Sequence, residues 1–506
     1  MPERWTELEN EFRSYIKQIT AYNEAIALIY WDMRTGAPKK GINQRSEVIG
    51  MLSSLVYDLQ TSERMAAYIA ELLSPEAKSH LSPITLHALK ECKKEYEMNK
   101  KIPKDEYEEY VILQSKSEHI WEEAKAKADF FLFQPYLEKL VETMKRFINY
   151  WGYEGHPYNR LLDLYEPGMT VDVLDRVFGQ LRKDLVKLVQ QVQSSSAKPD
   201  PSILFFPFPK NKQKSFSLEI LKGLGYDLEA GRLDETVHPF ATGINRGDVR
   251  ITTNYNEKDF RTAVFGTIHE CGHALYEQNI SSDLDWTPLA SGTSMGIHES
   301  QSLFFENFVG RQYGFWKQNF AVLQRYAKGH LDHVSLDEFY RAINESKPSL
   351  IRIEADELTY PLHIMIRYEI EKGLFSGEIE VKDLPQIWNE KYQEYLGVVP
   401  SHDGEGVLQD VHWAGASFGY FPSYALGYMY AAQFKNTMLK DLPNFDELLE
   451  TGNILPIREW LTEKIHKHGK MKKPLEILQD VTNEELNAQY LVDYLRRKFS
   501  GVYQLS

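Results

Sequence analysis

The chain has 506 residues, 42 % hydrophobic, 13 % aromatic and 26 % charged, a globular composition that excludes disordered, collagen-like and disulfide-scaffold proteins. Its 58 Lys and Arg against 73 Asp and Glu leave a net charge of −15, with only short Lys-rich stretches such as Lys467 to Lys473, so no nucleic-acid partner is expected. The longest aliphatic and aromatic run, Ala25 to Trp31, is far below the roughly 20 residues that cross a bilayer, so no membrane partner is expected either.

Met1-Pro2-Glu3-Arg4 leads directly into an amphipathic helix, with no apolar leader ahead of it. Two cysteines, Cys92 and Cys271, are too few for a disulfide framework and favour a reducing, cytoplasmic compartment. In the first segment Trp5, Leu8, Phe12, Ile16, Ile19 and Ile26 recur at spacings near three and four, which predicts a helix. The same period returns at 46–60, 83–99, 105–150 and 171–192, without the fixed repeat length of a solenoid. Ser194 to Pro201, followed by Phe205-Phe206-Pro207-Phe208-Pro209, is too rich in proline for helix and reads as a long connection inside one domain, packed on the body.

Val237 to Phe240 and Asp248 to Tyr255 then read as strands, joined by a turn at Asn245-Arg246-Gly247-Asp248. In the second, Val249, Ile251, Thr253 and Tyr255 alternate with Arg250, Thr252 and Asn254, the pattern of an edge strand with one exposed face. After Asn256 the helical period continues almost to the C-terminus. The expected fold class is mainly α: one large helical body with a small β-sheet beside the helix described next. One domain spanning 1–506 is expected, with an N-terminal helical part (1–200), a core carrying the sheet and the site (236–430) and C-terminal helices (431–506).

The strongest motif is His269-Glu270-Cys271-Gly272-His273, in a helix whose cap is expected at Asn256 with Asp259 three residues on. Residues i and i+4 project from one helical face about 6 Å apart along the axis, so two imidazoles can share one zinc ion. Glu270 falls beside such an ion, placed to take a proton from a water. A third ligand is offered by Glu299, in a helical segment reached through Pro288, Gly292 and Gly296; the alternatives are that Glu299 is a solvated surface residue or that His298 ligates instead. Cys271, rotated about 200° from His269, reads as packing behind the site.

These residues resemble the thermostable carboxypeptidase Taq family of metallocarboxypeptidases. The likeness rests on six segments in order: His238-Pro239-Phe240, Asp248 to Thr252, His269 to His273, His298-Glu299-Ser300-Gln301, Ile351 to Asp356, and Gly406 to Trp413. Trp31-Asp32 to Pro38 is similar too. The resemblance implies a zincin-like helical body with a deep central groove, His269, His273 and Glu299 as metal ligands, and one Zn2+ per chain, with Co2+ an equal fit. It also implies a homodimer that removes single residues from peptides with a free C-terminus, with broad side-chain tolerance.

Gly419 to Tyr424 resembles the tyrosine-bearing segment that related helical peptidases place over the metal, which makes Tyr420, then Tyr424, the expected donor to an oxyanion; most of the 30 Tyr must be packing residues. A terminal carboxylate calls for an arginine fork, for which Arg250 and Arg352 are candidates, unless each is a structural ion pair with Asp248 or Asp356. In the family the Arg352 position is tied to limiting substrate length. His412 and His238 are candidate donors to substrate carbonyls, or satisfied core residues, and Asp356 and Asp410 candidate orienters. Competing readings are an oligopeptidase or dipeptidyl carboxypeptidase on a similar scaffold, an aminopeptidase, and a non-catalytic helical binding protein.

Overall fold

The structure is a computed structural model that describes residues 2–505; Met1, on which the leaderless start was partly read, lies outside them. The first helix, α1 (Pro2–Thr35), buries Phe12, Tyr15, Ile16 and Ile19 along one stripe and packs against α2 (Ile42–Gln60). α3 (Pro83–Lys101) opens on Ser82, whose hydroxyl accepts from the Thr85 N–H at 3.2 Å, with proline in the first turn. The period over 105–150 predicts one helix, and two are present: α4 (Lys104–Lys127) and α5 (Phe130–Trp151). The chain reverses at Ala128, left-handed at φ 53°, and Asp129 caps the second helix through the Phe131 N–H. An alanine where glycine usually stands gives no sequence mark of the break.

α6 (Val171–Ser194) follows, and the proline-rich segment after it lies against the body: Leu204, Phe206 and Phe208 are buried and Phe206 and Phe208 pack on Phe260. Three strands come next, β1 (Leu233–Glu235), β2 (Ala241–Asn245) and β3 (Asp248–Thr253), in the order β1-β3-β2. β1 pairs parallel to β3 with Leu233 opposite Ile251; β2 pairs antiparallel to it with Ala241 opposite Ile251. This corrects two expectations. Val237 to Phe240 is the link between β1 and β2, not a strand, and β3 is central, not at the edge. Thr252 and Thr253 are buried because their hydroxyls are bonded, to Phe240 and to Ala263 O respectively, so threonine here does not mark an exposed face.

β3 lies on α7 (Arg261–Gln278), which carries the two histidines. This helix starts five residues after the expected cap. Asn256 Oδ1 accepts from the Lys258 N–H in a local turn, and Asp259 takes the N–H and guanidinium of Arg261 instead. α8 (Met295–Leu303), capped by Ser294 through the Ile297 N–H, runs into a π-helical turn at Phe304–Gly310. α9 (Tyr360–Ser376) and α10 (Pro422–Asp441) complete the walls around the site, and α11 (Gln489–Tyr503) backs them, its Tyr494 hydroxyl 2.7 Å from Glu357.

Two glycines let these helices approach. A Cβ on Gly272 would stand 2.4 Å from Gln301 O, and one on Gly427 would stand 2.6 Å from Glu299 Cβ. α8 is thereby wedged between α7 and α10. Gly427→Ala is expected to push α8 outward at a cost of about 1–3 kcal/mol, read as a lower urea midpoint together with weaker retention of a bound divalent cation.

Among the described residues, no helix is long and apolar enough to cross a membrane.

Candidate metal centre

His269 and His273 on α7 and Glu299 on α8 bring one donor atom each within 4.8 Å of one another. Glu299 Oε2 lies 3.8 Å from His269 Nε2 and 3.5 Å from His273 Nε2. The outer ring nitrogens are both engaged: His269 Nδ1 at 2.9 Å from Glu306 Oε2, and His273 Nδ1 at 2.7 Å from His298 Nδ1. Both Nε2 atoms are thus turned inward with Glu299, a two-imidazole, one-carboxylate set that suits zinc and leaves a fourth position for water. The residues fit a divalent cation.

Electrostatics follow from burial and from the crowd of carboxylates. Burial pushes the Glu270 carboxyl up to about 7, against the opposing pull of His269. Burial also opposes the charge on His269, but Glu299 and Glu306 outweigh it and raise the imidazole above its ordinary value; a cation at Nε2 would take the place of that second proton. For Glu306 burial is again overcome, here by His269 and Arg311, which hold the carboxyl down at about 2.

A cavity of about 660 Å³ opens over this centre and brings His269, Glu270, His273 and Glu299 together with Arg352, Tyr420 and Tyr424. Arg352 is buried, but its partner is Asp410 at 2.9 Å, not Asp356, and its Nη1 reaches the Tyr360 hydroxyl at 3.3 Å. Asp356 instead staples its own loop, accepting from Ser346, Lys347 and Thr359. Arg250 does not reach the cavity: both its Nε and Nη2 lie 2.7 Å from the Asp248 carboxylate, the ion pair that was its alternative, and the guanidinium covers Trp31. His238 is exposed on the link between β1 and β2, although the next two residues, Pro239 and Phe240, line the cavity. His412 stands one layer back, stacked on Phe421 with its Nε2 3.2 Å from the Tyr424 hydroxyl. Cys271 is buried behind the site, where burial pushes its thiol up to about 12.

Glu277, Glu306, Arg311 and Tyr360 are site residues that sequence reasoning passed over, and His298, the alternative ligand, stands behind His273 instead, its Nδ1 2.7 Å from His273 Nδ1. Glu306 had a signal, standing seven residues after Glu299 and so on the same face two turns on. Arg311, which donates to Glu306 at 3.0 Å, had none.

A sequence model described as Carboxypeptidase Taq (M32) metallopeptidase matches residues 11–499, a span that takes in every element of this centre. The chain belongs to the M32, carboxypeptidase Taq, family. Carboxypeptidase 1 of Bacillus subtilis (strain 168) is 61 % identical over 497 residues, covering 98 % of this chain and 99 % of that one. Thermostable carboxypeptidase 1 of Thermus thermophilus is 41 % identical over 495 residues, covering 96 % and 97 %. The crystal structure of the M32 carboxypeptidase from Deinococcus radiodurans R1 superposes with a TM-score of 0.95 at 32 % identity, covering 98 % of this chain and 100 % of that one. The protein is accordingly an M32 metallocarboxypeptidase, dependent on a divalent metal, and its mainly helical fold with a small sheet is that of its relatives.

Proposed function

We propose that this M32 enzyme removes one residue at a time from peptides with a free C-terminus, with broad side-chain tolerance. His269, His273 and Glu299 would hold one zinc ion, cobalt being an equal fit. When bound, the ion supplies Lewis acidity toward a water and the scissile carbonyl. The observation that carries the reading is Glu270, a buried carboxyl on the wall of the same cavity, raised toward neutrality one residue from the first ligand.

Glu270 takes the proton of the attacking water and returns it to the departing amine, the two halves of general base and acid work. Tyr420 and Tyr424, whose rings lie 5.2 Å apart in the cavity wall, donate to the oxygen where charge develops. Burial pushes both phenols above their usual range, so both remain protonated donors at neutral pH. Arg352, held edge-on by Asp410, turns its remaining donors with the Tyr360 hydroxyl toward the substrate carboxylate. His412 acts through Tyr424 and not on a substrate carbonyl. Arg250 and His238 take no part in binding. We place the enzyme in the cytoplasm as a homodimer: two buried, unpaired thiols, Cys92 and Cys271, support the compartment, and light scattering tests the assembly.

The test is an N-blocked peptide incubated with metal-loaded protein and its products weighed. A ladder of single-residue losses, abolished by chelator and absent for the C-terminally amidated peptide, is expected. Dipeptide loss or internal cuts would overturn the exopeptidase reading, and cleavage that survives chelation would overturn the metal.

A further inference from the structure

The two histidines of the centre are backed in different ways. Glu306 Oε2 can only accept, so His269 Nδ1, 2.9 Å away, keeps a hydrogen and its Nε2 is the nitrogen left for a cation. His273 Nδ1 faces another imidazole nitrogen, His298 Nδ1, at 2.7 Å, and these two atoms share one hydrogen. Which of them owns it is decided one bond further out. His298 Nε2 lies 2.8 Å from Glu277 Oε1, an oxygen that also accepts the Gly292 N–H at 2.9 Å. His298 therefore keeps its hydrogen on Nε2, its lone pair sits on Nδ1, and His273 must be the donor. That leaves the lone pair of His273 on Nε2, the atom 3.5 Å from Glu299 Oε2.

Packing fixes the same arrangement. The His298 ring is held between Tyr276 and His273, with centroids at 5.1 and 4.7 Å. A Cβ on Gly292 would stand 2.6 Å from His298 Cδ2, so only glycine lets the loop before α8 close over this ring. Turning the ring over would exchange nitrogen for carbon at both bonded positions and lose both hydrogen bonds. Glu277 is one helical turn beyond His273 on α7, and His298 precedes Glu299 on α8, so the relay also straps together the two helices that carry the ligands.

We propose that Glu277 and His298 are positioning residues for His273, holding its hydrogen on Nδ1 and its Nε2 open to a divalent cation. The proposal rests on the metal-centre reading above, and its test separates the two. Zn2+ affinity is measured by competition with a chromogenic chelator for wild type, His298→Leu, His298→Asn and Glu277→Ala, alongside each chain's urea midpoint in chelator. His298→Leu keeps bulk but has no acceptor, and is expected to bind Zn2+ about 10–100-fold more weakly. In His298→Asn, Oδ1 stands where Nδ1 stood and accepts the same hydrogen, so most of that loss is expected to be recovered. Glu277→Ala frees His298 to place its hydrogen on either nitrogen and is expected to weaken binding several-fold. A purely packing role predicts instead that Leu and Asn are equally harmful, or that affinity is unchanged while the urea midpoint falls; either result overturns the relay. Should His298→Leu not fold, wild-type affinity in Glu277→Ala overturns it too. A wild-type chain that takes up no zinc overturns the metal-centre reading itself.

Discussion

Glu270→Gln is expected to bind its metal as wild type does and to lose about 10²–10⁴-fold in kcat. The amide has nearly the shape of the carboxyl, so the cavity wall is undisturbed. None of the three converging donor atoms belongs to residue 270. What disappears is the carboxylate's negative charge and, with it, the capacity to take up a proton. Glu270 is suited to that task because burial raises its carboxyl above its ordinary value, which makes it a stronger base than an exposed glutamate. Metal per chain by atomic absorption, with kcat on an N-blocked peptide, checks both halves. A fully metallated Glu270→Gln enzyme turning over at the wild-type rate would falsify the assignment.

The metal centre was legible because its information is local. His269 and His273 are a helical turn apart, so periodicity alone places both on one face, and Glu270 follows from the same geometry. Glu299 needed a second helix alongside the first, and the sequence carries that as the chain-turning Pro288, Gly292 and Gly296, and as small residues at the contacts, Gly272 and Gly427. Where partners are remote in sequence the pairing stayed open. Arg352 was matched with Asp356, four residues away, with Asp410, fifty-eight away, only a candidate orienter of an arginine or a histidine; the structure selects Asp410, brought in by the loop before α10. The local guess did hold for Arg250, whose partner two residues back is on the same strand face. Central placement of β3 was hidden because β1 is only three residues long, too short to announce a parallel neighbour. The π-helical turn that carries Glu306 has no composition signal at all.

Asp410→Asn is expected to destabilise the protein by about 3–5 kcal/mol at pH 7. One carboxylate lies between two guanidiniums, Arg352 at 2.9 Å and Arg367 at 2.6 Å, whose side chains are 7 % and 0 % exposed. Gln409 and the His363 carbonyl take hydrogen bonds from Arg367 but no charge, so the amide leaves two buried cations with no carboxylate paired to either among the described residues. The loss extends into the site, because Arg352 set loose from Asp410 no longer presents Nη1 beside Tyr360, and KM for the peptide is expected to rise along with the fall in stability. Burial alone would raise the Asp410 carboxyl, but Arg367 and Arg352 outweigh it and hold it far below its unfolded value of 3.8. A depressed carboxyl stabilises fully above its unfolded pKa and loses that contribution as pH falls toward the native one. The gap in unfolding free energy between wild type and Asp410→Asn is therefore expected to be flat from pH 7 to 5 and to narrow by about 1 kcal/mol by pH 3. Urea midpoints at the three pH values measure it. A gap independent of pH would mean that the carboxylate's charge is not what holds the two arginines, and that Arg352 is set in the cavity wall by packing on Phe421 and Tyr424 instead.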